Sequence, residues 1–330
     1  MADLLAYGAY VPQYRAPLKE IQSFYGRPGR PRAKALATPG LDEDPLTMAF
    51  EAARDALRGE RSVGAVVAVT QAPPFGLRKM SGTLARALQL DVGVVPYDLA
   101  GTGVGLLDAF ALAGGLAAGG AGRVLVVAAD HLVSTADRVC DTLSAGGAAA
   151  FVVGEGGGFA TLGPQARASQ EVYDVWRLHT EPEPRYRLEV LFDAYAATTR
   201  QALAALEAAT ERPTAEYAAV CASQPHPQTL RGLGRSGVQA AQLEHTSFVG
   251  DIGNLGAASV GVALALGLDR AEPGQHLVAL GYGGGEAVAQ DVAVTGPVPA
   301  AGAAEMLGAG EPIALGTYYR WTQGRWAEPH

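Results

Sequence analysis

The sequence predicts an α/β protein made of two similar halves, and three observations carry that expectation. Apolar runs of strand length alternate with longer Ala/Leu-rich helical patterns, the rhythm of buried strands covered by helices. Only 18% of the 330 residues are charged, while 43 are glycine, which suits closely packed layers. The order of elements also recurs. The offset that sets Val104-Gly105 on Val260-Gly261 also sets Asp98 on Asn254, Gly103 on Ser259, and the Ser62–Thr70 run against Tyr217–Ala222. A shift shared in order argues for duplication, with halves expected over 1–165 and 166–330.

Taken along the chain, Asp3 to Tyr10 reads as a first strand leading into a Pro12-Gln13-Tyr14-Arg15 turn. Asp44-Pro45 starts a helix through Leu57, with Asp44 as cap and Pro45 at the first helical position. Ser62 to Thr70 is a continuous apolar strand, Ser81 to Leu90 a short helix, Arg123 to Ala129 a strand, and Gly146-Gly147-Ala148 leads another to Val153. The alternation implies a parallel sheet. In the second half, Leu188 to Leu206 is a long helix and Tyr217 to Ala222 a buried strand. The segment Thr246–Ile252, the turn Gly253–Ser259 and a helix to Leu266 follow. His276 to Leu280 is the next strand, and a Gly281–Gly285 turn precedes Ala287 to Val294.

A net charge of −8 argues against nucleic acid or an anionic membrane surface as the main partner. The absence of a membrane-length apolar run or a secretory pattern leads us to expect a soluble, cytoplasmic protein. Cys140 and Cys221 have neither disulfide-framework nor metal-type spacing, and buried structural cysteine is the ordinary reading of both.

The organising stretch is Val95 to Gly105, where an apolar run ends at Asp98 and a glycine-rich turn opens into a helix. Free N–H groups at such a helix start favour negative charge, while Asp98 has two readings, ligand contact or backbone cap. Tyr25 to Lys34 carries Arg27, Arg30, Arg32 and Lys34, either a solvated loop or a clamp for phosphate oxygens.

Tyr7–Arg15, Pro39–Asp44, Ala145–Gly154, Gly253-Asn254 and Gly281–Gly285 span nearly the whole chain. In sequence and in order they resemble segments of the thiolase superfamily, and within it the prokaryotic hydroxymethylglutaryl-CoA synthases, with ketoacyl synthase III enzymes more distant. The resemblance implies a five-layered αβαβα fold, a homodimer, and a site for coenzyme A thioesters. It also implies that Tyr282 and Gly283 lie near the acyl pocket. The family's nucleophilic cysteine follows a strand-end aspartate by five residues; from Asp98 that position holds Gly103. The family's His-Gln-x-Asn run reads Ser223-Gln224-Pro225-His226, which puts serine at the histidine place and His226 at the asparagine place. Gln71 stands at the glutamate place, and only Asn254 matches a catalytic residue outright.

A thiolate exchanges acyl groups readily, glycine carries none, and glutamine keeps glutamate's shape without its proton-transfer group. Three readings follow. The chain is a catalytically silent subunit beside a thiolase or a small OB-fold protein. Otherwise it acts on a thioester without covalent catalysis, with Asn254 and His226 polarising the carbonyl. The third is a synthase whose site was altered by design, a reading that one change would have satisfied.

Overall fold

The computed structural model describes residues 1–26, 33–100, 103–132, 138–178 and 184–324. A sheet of 9 strands organises them. Its order from edge to edge is Ala219–Ala222, His276–Gly283, Glu286–Val294, Ala160–Ser169, Asp3–Tyr10, Gly147–Gly154, Val124–Asp130, Ala65–Thr70 and Val95–Ala100.

The sheet is mixed, which corrects the expectation of a parallel one. Ala65–Thr70 runs parallel to both of its neighbours, and Ala219–Ala222 parallel to His276–Gly283. The other neighbouring pairs are antiparallel. A parallel step needs a long crossover, whereas an antiparallel one closes through a tight turn. The glycine-rich segment near residue 283 shows this. Gly281-Tyr282-Gly283 belongs to the strand, Gly283 pairs with Glu286, and the turn is confined to Gly284 and Gly285. Those two glycines have φ of 63° and 82°, the left-handed geometry that a two-residue hairpin turn requires.

Helices complete five layers, as the resemblance implied. Pro45–Leu57 and Met80–Ala87 cover the outer face of the N-terminal strands, and Leu188–Thr210 covers that of the C-terminal strands. Gly105–Leu116 and Ser259–Leu268 each pack on strands from both early and late parts of the sequence. Their sequences explain the position. Every residue of Ser259–Leu268 is buried, and a helix apolar all round is stable only inside a protein. Pro45–Leu57 instead has one apolar face. Asp44 caps it, accepting from the Thr47 N–H at 2.8 Å.

The strand Ala160–Ser169 runs across the 165/166 division and pairs with Asp3–Tyr10 on one side and Glu286–Val294 on the other. Among the described residues, no helix is long and apolar enough to cross a membrane.

Candidate functional site

The loops leaving several strands meet around a cleft with a cavity volume of about 60 Å³. Gln71, Gly103, Ser223, Asn254, Tyr282 and Gly283 all line it, so residues far apart in sequence converge as the family pattern implies. A neighbouring cleft of about 520 Å³ shares Gln71, Leu132 and Val175 with the first and reaches Asp98, Arg78 and Trp176.

At its floor, Gly103 faces the end of the His276–Gly283 strand. A Cβ built on Gly103 would lie 2.0 Å from the carbonyl oxygen of Tyr282 and 3.2 Å from Ser223 Oγ. The space where a side chain would start is therefore filled by backbone. Ser223 fastens this contact, because its hydroxyl donates to the Gly103 carbonyl at 3.1 Å and accepts from the Tyr282 N–H at 3.1 Å. Ser223 is itself fixed by its N–H to the Leu280 carbonyl at 2.8 Å. Tyr195 donates its hydroxyl to the Ser223 carbonyl at 2.9 Å.

Asn254 is held on both sides of its peptide. Its N–H donates to the Leu143 carbonyl and its carbonyl accepts from Ala145, both at 2.7 Å. Its Oδ1 accepts from the Gly256 N–H at 2.9 Å, which leaves the Nδ2 hydrogens as donors for a ligand.

Asp98 accepts from the N–H groups of Met80 and Ser81 at 2.7 and 2.9 Å and so caps the Met80–Ala87 helix. Asp98 lines the wider cleft. His226 is a cap too: its Nδ1 accepts from the Gln228 N–H at 3.0 Å, and its ring packs edge-on against Phe192 at 4.9 Å. It is not among the residues lining the inner cleft. Arg27, Arg30 and Arg32 lie outside the described residues. Neither cysteine lines the cleft; both are buried, and burial pushes the Cys221 thiol far up.

Sequence reasoning missed Asp174. It is 1% exposed, lines the cleft, and accepts the Tyr282 hydroxyl on Oδ2 at 2.7 Å. Burial, with the Asp174 charge next, pushes the Tyr282 phenol far up, so it keeps its proton. No signal marked Asp174, since it stands in an irregular stretch whose place depends on the Tyr282 strand. Asp130 was missed as well. Burial raises its carboxyl from 3.8 to about 6, against hydrogen bonds from Ala257, Gln71, His131 and Thr70 that favour the anion.

No family profile matches the chain. A hydroxymethylglutaryl-CoA synthase of Methanocaldococcus jannaschii is 27% identical over 319 residues, covering 89% of each chain. That of Methanothermobacter thermautotrophicus is 29% identical over 308 residues, covering 86% of each. Among solved structures, a hydroxymethylglutaryl-CoA synthase complexed with CoA superposes with a TM-score of 0.86 at 17% identity, covering 97% of this chain and 89% of that one. The 3-oxoacyl-(acyl carrier protein) synthase III of Pseudomonas aeruginosa does so with a TM-score of 0.81 at 21% identity, covering 90% and 99%. Along most of its length the chain is therefore similar to hydroxymethylglutaryl-CoA synthases, and it shares the architecture of these solved structures.

Proposed function

We propose that this protein binds an acyl thioester, of coenzyme A or of an acyl carrier, without forming a covalent acyl-enzyme. In this reading it is the thioester-binding component of an acyltransferase-type assembly. The observation that carries the proposal is the Tyr282 carbonyl standing where a nucleophile's Cβ would be. Asp98 is committed to two backbone amides, and an acyl-aspartate would be a far more reactive anhydride. Gln71 offers hydrogen bonds but no proton transfer. Of the family's catalytic set the cleft keeps Asn254, whose Nδ2 is a donor for a thioester carbonyl.

The CoA complex of a structural neighbour supports a CoA thioester as ligand. The basic loop with Arg27, Arg30 and Arg32 is assigned to the nucleotide end of that ligand. The partners of this reading are a second copy of the chain, a thiolase and a small OB-fold protein. For the second copy, the open side of the Val95–Ala100 edge strand, where Val95 is 46% exposed, is the natural place to add another strand.

Calorimetry with acetyl-CoA, followed by intact-mass spectrometry of the same sample, tests the core of this reading. The expected result is saturable binding with no acetyl adduct on the protein. An adduct would overturn the non-covalent reading, and no heat at millimolar ligand would overturn the thioester assignment.

A further inference from the structure

Asp174 is an expensive residue to keep. Its carboxylate is almost wholly removed from water, yet among the described residues no Lys, Arg or His side chain pairs with it. Two neutral donors hold it: the Tyr282 hydroxyl on Oδ2 at 2.7 Å and the Val175 N–H on Oδ1 at 2.6 Å. A carboxylate buried without a cation depends on hydrogen bonds alone, and here both come from neutral donors. Each of its oxygens has accepted one hydrogen bond, so lone pairs remain to take a proton. The group lines the same cleft as Asn254, and Gln71 has no capacity to act as a base there.

We propose that Asp174 is the general base of this cleft, removing a proton from the α-carbon of a bound acyl thioester. The inference rests on the thioester-binding reading and adds to it a reaction that needs no acyl-cysteine. The α C–H bond breaks and its proton forms an O–H bond on the Asp174 carboxylate. The electron pair moves into the bond between the α-carbon and the carbonyl carbon, and the charge settles on the thioester oxygen. Asn254 Nδ2–H donates to that oxygen, a preorganised contact of the kind whose removal slows enzymes about 100- to 1000-fold. Return of a proton from Asp174 to the carbon restores the thioester, and exchange of that proton with water leaves solvent hydrogen at the α-position.

Tyr282 is the positioning residue. Its proton stays on oxygen and points at the base. Its ring packs against Tyr195 at 4.9 Å, and its backbone is stapled to Gly103 through Ser223. The substrate class is an acyl thioester bearing at least one α-hydrogen.

The test is incubation with propionyl-CoA in heavy water, read by mass spectrometry of the recovered thioester alongside calorimetric binding. The unaltered protein is expected to introduce a single deuteron per propionyl group. Asp174→Asn should slow this about 100-fold or more, in line with the loss of a general base, while the dissociation constant stays within about threefold. Tyr282→Phe removes one of the two hydrogen bonds that place the base, so kcat for exchange should fall about tenfold while KM for propionyl-CoA stays within about twofold. A purely structural tyrosine would not separate kcat from KM in this way. Equal exchange by Asp174→Asn, an unchanged kcat in Tyr282→Phe, or binding without exchange by the unaltered protein overturns the proposal alone. Absence of binding overturns the thioester reading as well.

Discussion

Restoring a thiol at position 103 tests whether the site lost one residue or was rebuilt around the loss. In Gly103→Cys the new Cβ would meet the Tyr282 carbonyl oxygen at 2.0 Å, about 1 Å inside the closest approach such atoms show. Relief requires backbone movement, because the obstructing atom is not a flexible side chain. Tyr282 pairs with Ala287 across the hairpin, and its N–H is bonded to Ser223. Overpacking of this kind costs about 1–3 kcal/mol, and breaking the Ser223 bridge adds about 1 kcal/mol. We therefore expect Gly103→Cys to lose roughly 2–4 kcal/mol in urea unfolding, with Gly103→Ala losing a similar amount without any thiol. Gly115→Ala is the control: nothing lies within 4 Å of a Cβ at that exposed helical position, so this variant should gain up to about 1 kcal/mol. Incubated with acetyl-CoA, the Gly103→Cys variant should show no acetyl adduct and no condensation activity, since Ser223 and Gln71 still occupy the histidine and glutamate places. A Gly103→Cys protein as stable as its parent, or one that acylates and condenses, would refute the argument.

Other expectations follow from single contacts. Asp98→Ala leaves the Met80 and Ser81 amides uncapped and should cost about 1–2 kcal/mol in unfolding experiments, with acetyl-CoA affinity unchanged. Asp130 sets a pH dependence of defined sign. Its folded carboxyl titrates at about 6 against 3.8 when exposed, so the folded state holds the proton more tightly. That preference contributes up to about 3 kcal/mol below pH 4 and is lost as pH rises through 6. Urea unfolding across this window should show the parent declining relative to Asp130→Asn; parallel curves would contradict it. Changing Arg27, Arg30 and Arg32 together to glutamine should weaken CoA binding and flatten its salt dependence, measured by calorimetry at two ionic strengths.

Much of the architecture was legible because local chemistry and burial agreed. Asp44-Pro45 announced a capped helix, and Ser259 to Leu268 carries no polar side chain beyond its first residue and could only be interior. The convergence of Gln71, Gly103, Ser223 and Asn254 was legible through the family pattern. Sheet direction was not, because it depends on how the chain returns between strands rather than on the strands themselves. Asp174 was invisible for a related reason. Its significance comes from Tyr282, more than a hundred residues away, which reaches it only once both halves have packed. His226 shows how local and family readings overlap: its place in the pattern suggested chemistry, and in the structure its Nδ1 accepts from the Gln228 N–H.

The two central helices have a bearing on how this chain comes to be folded at all. Ser259–Leu268 has no face compatible with water, and the strands that shelter it come from both ends of the sequence. A C-terminal segment severed near the middle would keep Ala219–Ala222 and His276–Gly283 against it but lose Asp3–Tyr10 and Gly147–Gly154, leaving an apolar side of the helix bare. Unfolding should therefore be a single cooperative event, and refolding slow, since contacts that span so much sequence must assemble before any of them is rewarded.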